Sequence, residues 1–224
     1  MKKFNSGIGE RLTGRHKYSF KFCGNVKGKT ILDVGSSYGW FEKFAVEAEC
    51  KSVLGIEPEE NLFYAAQKEV PKAIFKKGSA LKIPAKDNFF DLVVMFDVIE
   101  HIPRKTESKA LKEIKRVLRP GGTFAMSTSL NFWFTNIMDP IWYFGHRHYN
   151  EKQLRNLLGK EGFKVKKVEY RGGWGEMASA ILLYPFKWIF HCEVPFKKYL
   201  EQKRDEEYLV NKKGFMTIYL KATK

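Results

Sequence analysis

The ten residues Ile31-Leu32-Asp33-Val34-Gly35-Ser36-Ser37-Tyr38-Gly39-Trp40 constrain this chain more than any other segment. An apolar strand ends in an acid, breaks into a turn of small residues and runs on into a helix. Such a turn holds a nucleotide-like cofactor at the carboxyl end of a parallel strand. A nicotinamide dinucleotide loop needs glycine at the last place of the spacing GxGxxG, so that helix and strand pack closely. Trp40 stands at that place and argues against such a loop. Gly35, Ser37 and Gly39 follow the spacing D-x-G-x-G-x-G instead, with Ser37 for the middle glycine.

Three later segments keep step with this loop. Ser52 to Glu57 is a second apolar strand ending in an acid, where the Glu57 carboxylate can accept both hydroxyls of a ribose. Gly78-Ser79-Ala80-Leu81-Lys82-Ile83-Pro84 leads to Phe90-Asp91-Leu92-Val93-Val94-Met95-Phe96-Asp97 and the pair Glu100-His101, and Leu118-Arg119-Pro120-Gly121-Gly122 follows. In this order, the segments resemble the motifs of the class I S-adenosylmethionine-dependent methyltransferases, in the type 11, quinone-biosynthesis-like branch. The resemblance covers residues 31 to 122 and is far more specific than any one motif. It implies S-adenosylmethionine as cofactor and a Rossmann-like, doubly wound seven-stranded sheet with its last strand antiparallel and helices on both faces.

The alternation of segments independently predicts a parallel α/β sheet. Strands are expected at 30–34, 52–56, 73–77, 90–96, 123–128, 163–170 and 215–221, with helices at 39–49 and 59–69. Ala110, Leu111, Ile114, Val117 and Leu118 share one helical face, which Thr106 can cap and Pro120-Gly121-Gly122 end. Asn150 and Gln153 form a capping box for a helix stopped by Gly162. At 224 residues, a single domain spanning 1–224 is expected, with a basic helical segment at 1–29 and substrate-side insertions at 130–149 and 172–214.

Forty Lys and Arg against 25 Asp and Glu give a formal charge of +15, which favours an anionic contact. In the first 29 residues, Lys2, Lys3, Arg11, Arg15, Lys17, Lys21, Lys27 and Lys29 stand against one acid, Glu10. This stretch reads equally as a binding surface or as a solvated face. Three cysteines without paired spacing argue against disulfides and structural zinc, and Met1 to Asn5 lacks a signal-peptide core. The apolar run from Ala178 to Phe190, interrupted by Pro185 and Lys187, is too short to span a bilayer. A cytoplasmic protein is expected, with peripheral membrane contact through the aromatic and basic residues between Tyr184 and Arg204 as a further expectation.

The resemblance assigns cofactor contacts to Asp33, Gly35, Ser37, Gly39, Glu57, Ser79, Ala80, Phe96 and Asp97. Ser79 replaces the family's usual aspartate at the adenine. Arg15 to Phe20 is similar to an R-x-x-x-Y stretch of some relatives, which would bring Tyr18 to the carboxylate end of the cofactor. His101 and His148 are the candidate catalytic bases, with His146 beside them. Each reads as well as a structural hydrogen-bonder. A metal site is not expected, because no carboxylate or cysteine completes a ligand spacing. The aromatic stretches Phe132 to Phe134 and Ile141 to Phe144 suit a lid over an apolar or ring-bearing acceptor. A small-molecule or lipid-like acceptor methylated at oxygen or carbon is therefore the leading expectation. The alternatives are an RNA methyltransferase and a cofactor-binding protein without turnover.

Overall fold

The computed structural model describes residues 12–132, 136, 146–179, 197–210 and 213–224. Lys2, Lys3 and Arg11, the aromatic stretches 133–134, 141–144 and 184–190, and Cys192 lie outside the described residues. Helix α1 (Gly14–Cys23) precedes β1 (Thr30–Val34), α2 (Trp40–Glu47), β2 (Ser52–Glu57), α3 (Glu60–Glu69), β3 (Ile74–Lys77) and β4 (Phe90–Phe96). Then come α4 (Glu107–Val117), β5 (Leu118–Ser129), α5 (Glu151–Lys160), β6 (Lys164–Arg171), α6 (Lys197–Leu209) and β7 (Thr217–Thr223).

The seven strands form one sheet in the order β3-β2-β1-β4-β5-β7-β6. Strands β1 to β5 run parallel, and β7 lies antiparallel between β5 and β6. The central strands are apolar on both sides, as a sheet covered on two faces requires. On β4, Val93 and Met95 join α4 and α5 in one core, whereas Leu92, Val94 and Phe96 join α1 and α2 in the other. The order reverses between β1 and β4, so the loops after β1, β2 and β4 meet at the carboxyl edge.

The local signals hold with two corrections. Asn150 Oδ1 accepts the Gln153 amide at 2.8 Å, and Gln153 Oε1 accepts the Asn150 amide at 2.9 Å, which closes the expected capping box. Thr106 occupies the N-cap of α4 without capping it through its side chain. Its hydroxyl donates to the Pro103 carbonyl at 2.5 Å instead. Pro120-Gly121-Gly122 does not end α4 either. The helix stops at Val117, and the chain enters β5 directly because Leu118 pairs with Phe90, with a register shift before Leu92 meets Thr123.

The second long excursion folds back toward the start of the chain. Gly14 donates to Asp205 Oδ1 at 2.8 Å, and a Cβ on Gly14 would stand 2.5 Å from the Asp205 Cα, so α1 and α6 touch at a point only glycine allows. Glu207 accepts the amides of Gly173, Gly175 and Glu176 at 2.7 to 3.0 Å, fastening the helical turn at 174–179 to α6. Among the described residues, no helix is long and apolar enough to cross a membrane.

Candidate active site

The loop after β1 is built by sterics as much as by hydrogen bonds. Gly35 has φ +85°, and a Cβ there would stand 2.4 Å from Val98 Cγ2. Its amide and that of Ser36 both donate to the Ile56 carbonyl, which ties the loop to the end of β2. Gly39, also at φ +85°, opens α2, and its bare Cα lies against Phe75, Ala66 and Val70. The two glycines thus serve the packing of Val98 and α3 on the loop, a role that spacing alone does not reveal. Ser37 takes φ +48° between them, a left-handed conformation that usually favours glycine.

Glu57 is buried at the end of β2, with Oε2 accepting the Ser37 amide at 2.9 Å and Oε1 the Glu59 amide at 3.0 Å. Two backbone donors fix the carboxylate beside the loop, and each oxygen keeps a lone pair for a hydroxyl donor. Ser79 Oγ accepts the Leu81 amide at 3.2 Å and closes its own turn, and Ala80 is buried behind it. Phe96 turns its ring inward against Trp40 and Phe41, which leaves only its backbone at the edge of the sheet.

Asp97 follows at φ +55°, with Oδ1 accepting from Ser127 Oγ at 2.8 Å and from the Arg15 guanidinium at 2.5 Å. Within α1, therefore, Arg15 and His16 reach the motif loops, and Tyr18 does not. The Tyr18 hydroxyl pairs with Glu169 and Arg171 on β6, and its ring packs on Tyr219 of β7. One helical turn separates Arg15 from Tyr18, but the two side chains leave α1 toward different strands. His16 lies 4.8 Å from Trp40 between ring centroids, and burial, reinforced by the charge of Arg15, lowers its pKa to about 4.

Behind the loop lies a feature that sequence reading missed. Asp33 and Glu42 are both buried, on β1 and α2. Burial and the charge of Glu57 push the Asp33 carboxyl up to about 8, and burial and Asp33 raise Glu42. Asp33 Oδ2 and both Glu42 oxygens lack a donor among the described residues. Gly55 makes the space, because a Cβ there would come within 2.3 Å of Glu42 Oε1.

The histidines meet at the carboxyl end of β4. The rings of His101 and His146 lie 4.7 Å apart between centroids, and those of His146 and His148 lie 5.5 Å apart. Asn136 Nδ2 donates to Asn131 Oδ1 at 2.7 Å, which orients its Oδ1 toward His148 Nδ1 at 2.6 Å. With its proton on Nδ1, His148 donates to that Asn136 oxygen. Glu100, buried beneath His101, accepts from Thr128 Oγ1 at 2.9 Å, and burial together with the charge of Asp97 pushes its carboxyl up to about 7. The carboxylate that sequence spacing did not supply to the histidines is thus the residue next to one of them.

Arg147 is the fastener. Its guanidinium donates to the Ile99 carbonyl at 2.8 Å, to the Ile102 carbonyl and to Glu107, binding the segment that carries His146 and His148 onto the loop that carries His101. Arg147→Ala is expected to cost about 2 kcal/mol in urea unfolding, because four acceptors, the Glu100 carbonyl among them, lose the guanidinium at once. A change below about 0.5 kcal/mol would show that the segment is held by Tyr149 and β5 alone.

Residues 32–126 match the family described as a methyltransferase domain. A relative from Mycolicibacterium smegmatis, described as an S-adenosylmethionine-dependent methyltransferase, is 30% identical over 154 residues, 68% of this chain and 59% of that protein. A tRNA U34 carboxymethyltransferase from Syntrophotalea carbinolica is 32% identical over 108 residues, 46% of this chain and 33% of that protein. The chain thus spans less than two thirds of either relative. Among solved structures, an S-adenosylmethionine-dependent methyltransferase from Mesorhizobium loti shares the fold, with a TM-score of 0.68 at 17% identity over 95% of this chain and 98% of that one. The chain thus carries a methyltransferase domain over residues 32–126 and shares the fold of class I S-adenosylmethionine-dependent methyltransferases, whose cofactor is S-adenosylmethionine.

The residues present fit that cofactor. Glu57 is an anchored acceptor suited to ribose hydroxyls. Arg15 Nε is buried without a hydrogen-bond partner among the described residues, and Asp97 stands beside it. A cationic donor next to a carboxylate matches the carboxylate and ammonium of the methionyl end.

Proposed function

We propose that the chain transfers a methyl group from S-adenosylmethionine to a hydroxyl of a small or lipid-like acceptor. When bound, S-adenosylmethionine supplies a methyl group on a sulfonium, activated for in-line displacement. In this reading, Glu57 holds the ribose, Arg15 and Asp97 hold the methionyl end, and the loop of Gly35, Ser37 and Gly39 closes over the chain between them.

The observation that carries the reading is the histidine cluster at the carboxyl end of β4, beside Asp97. Positioning supplies much of the rate of methyl transfer, and a base is needed only where the acceptor holds its proton tightly. His148, with its proton on Nδ1 toward Asn136, accepts the proton of the acceptor hydroxyl at Nε2. His148→Gln is expected to lower kcat about a hundredfold and to leave the affinity for S-adenosylmethionine unchanged. Equal loss of kcat and cofactor affinity would make the histidine structural. His101→Ala is likewise expected to lower turnover more than cofactor affinity.

A second reading, an RNA acceptor, draws on the charge of +15 and on the tRNA-modifying relative. Transfer of labelled methyl into an extract, partitioned among organic solvent, soluble small molecules and RNA, separates the two. Label in the organic or small-molecule fraction supports the proposal. Label in RNA that weakens steeply with salt would replace it with the second reading.

A further inference from the structure

We propose that Glu100, His101 and His146 form a binding site for one divalent cation of the zinc class, which presents open positions to an oxygen of the acceptor. One ligand atom from each residue lies within 4.8 Å of the other two. Ligands around a tetrahedral zinc ion stand about 3.3 Å apart, so side-chain movements of about 1–2 Å complete the shell. The three residues arrive from two separate segments: Glu100 and His101 from the loop after β4, and His146 from the segment that Arg147 fastens across it.

The donor set selects the ion. Two imidazoles and one carboxylate suit zinc and its transition-metal neighbours, whereas magnesium prefers an all-oxygen shell. Three protein ligands leave the remaining positions to water or substrate, the pattern of catalytic and not structural zinc sites. Glu100 is held from behind by the Thr128 hydroxyl, a second contact that orients a metal-binding carboxylate. His101 is exposed, so the open positions face outward from the carboxyl edge of the sheet.

This inference rests on the proposed methyl transfer to a hydroxyl and gives it a substrate class. An acceptor with a phenolic or vicinal hydroxyl binds the cation through oxygen, and the cation makes that hydroxyl more acidic. Its proton passes to His148 Nε2, the ring that neighbours His146. In this arrangement, His101 acts as a ligand and His148 alone as the base.

The test is titration of the chelator-treated full chain with Co2+, read by its ligand-field absorption, alongside calorimetric titration with S-adenosylmethionine. The expected result is one Co2+ per chain, displaced by Zn2+ and weakened at least about tenfold in His101→Ala and in His146→Ala. Both variants keep the cofactor affinity of the parent, which shows that they are folded. Glu100→Gln, the same size as the parent residue, is expected to weaken Co2+ in the same way. Cofactor binding without saturable Co2+ binding overturns the cation site and leaves the methyl-transfer reading standing. Co2+ binding without cofactor binding does the reverse. Co2+ binding that the His101 and His146 variants leave unchanged places the ion elsewhere and also overturns the site.

Discussion

Glu57→Ala is expected to weaken S-adenosylmethionine binding by more than about tenfold, since charge-assisted hydrogen bonds contribute about 1.5–3 kcal/mol. The substitution acts twice. It removes the acceptor for the ribose hydroxyls, and it releases the amides of Ser37 and Glu59 that the carboxylate holds at 2.9 and 3.0 Å. Glu57→Gln keeps one good acceptor oxygen and is expected to fall between parent and alanine. Calorimetry on the three proteins checks the order, and unchanged affinity in the alanine variant would remove Glu57 from the cofactor site.

Glu42→Gln is expected to flatten the loss of stability with rising pH. Burial and the charge of Glu57 push Asp33 up to about 8, against about 4 for an ordinary carboxyl. Between these values, the folded chain holds a proton that the unfolded chain has released. Stability from this pair is therefore greatest below about pH 4 and declines as pH rises toward about 8, by at most about 1.4 kcal/mol per pH unit for each proton. A glutamine amide at position 42 cannot ionise and gives Asp33 a permanent donor, so Asp33 ionises at lower pH without the same cost. Thermal unfolding from pH 5 to pH 8.5 is expected to show the two proteins converging at the acid end. At pH 8, the variant is expected to be more stable by about 1–3 kcal/mol. Parallel curves would show that Asp33 and Glu42 do not share the burden of burial.

The sheet and the strand ends at its carboxyl edge were legible because their signals are local. Buried parallel strands read as continuous apolar runs, and Asp33, Glu57 and Asp97 mark strand ends that the fold places side by side. The capping box at Asn150 lies within four residues of sequence and formed as written. What sequence reading missed depends on partners far along the chain. Tyr18 and Arg15 are three residues apart on one helix, and only the position of β6 and β7 decides which of them faces the loops. Glu42 reads as an ordinary helix acid until Gly55, on the neighbouring strand, is seen to make room for it. In the sequence, Glu100 reads only as the first half of the pair Glu100-His101. Its meeting with His146 requires Arg147 to close a gap of more than forty positions.

The two sides of the carboxyl edge differ in how they are built. The carboxyl edge around β1, β2 and β4 is built from strand ends and short turns, which sequence spacing describes well. The segments around Arg147 and from Gly173 to Glu176 are held by single side chains such as Arg147 and Glu207, whose partners no periodicity reveals.

The most direct test of the central claim is equilibrium titration of the purified full chain with S-adenosylmethionine by calorimetry. The account predicts one saturable site per chain, competed by S-adenosylhomocysteine and weakened in Glu57→Ala. A folded chain that gives no saturable binding would contradict it.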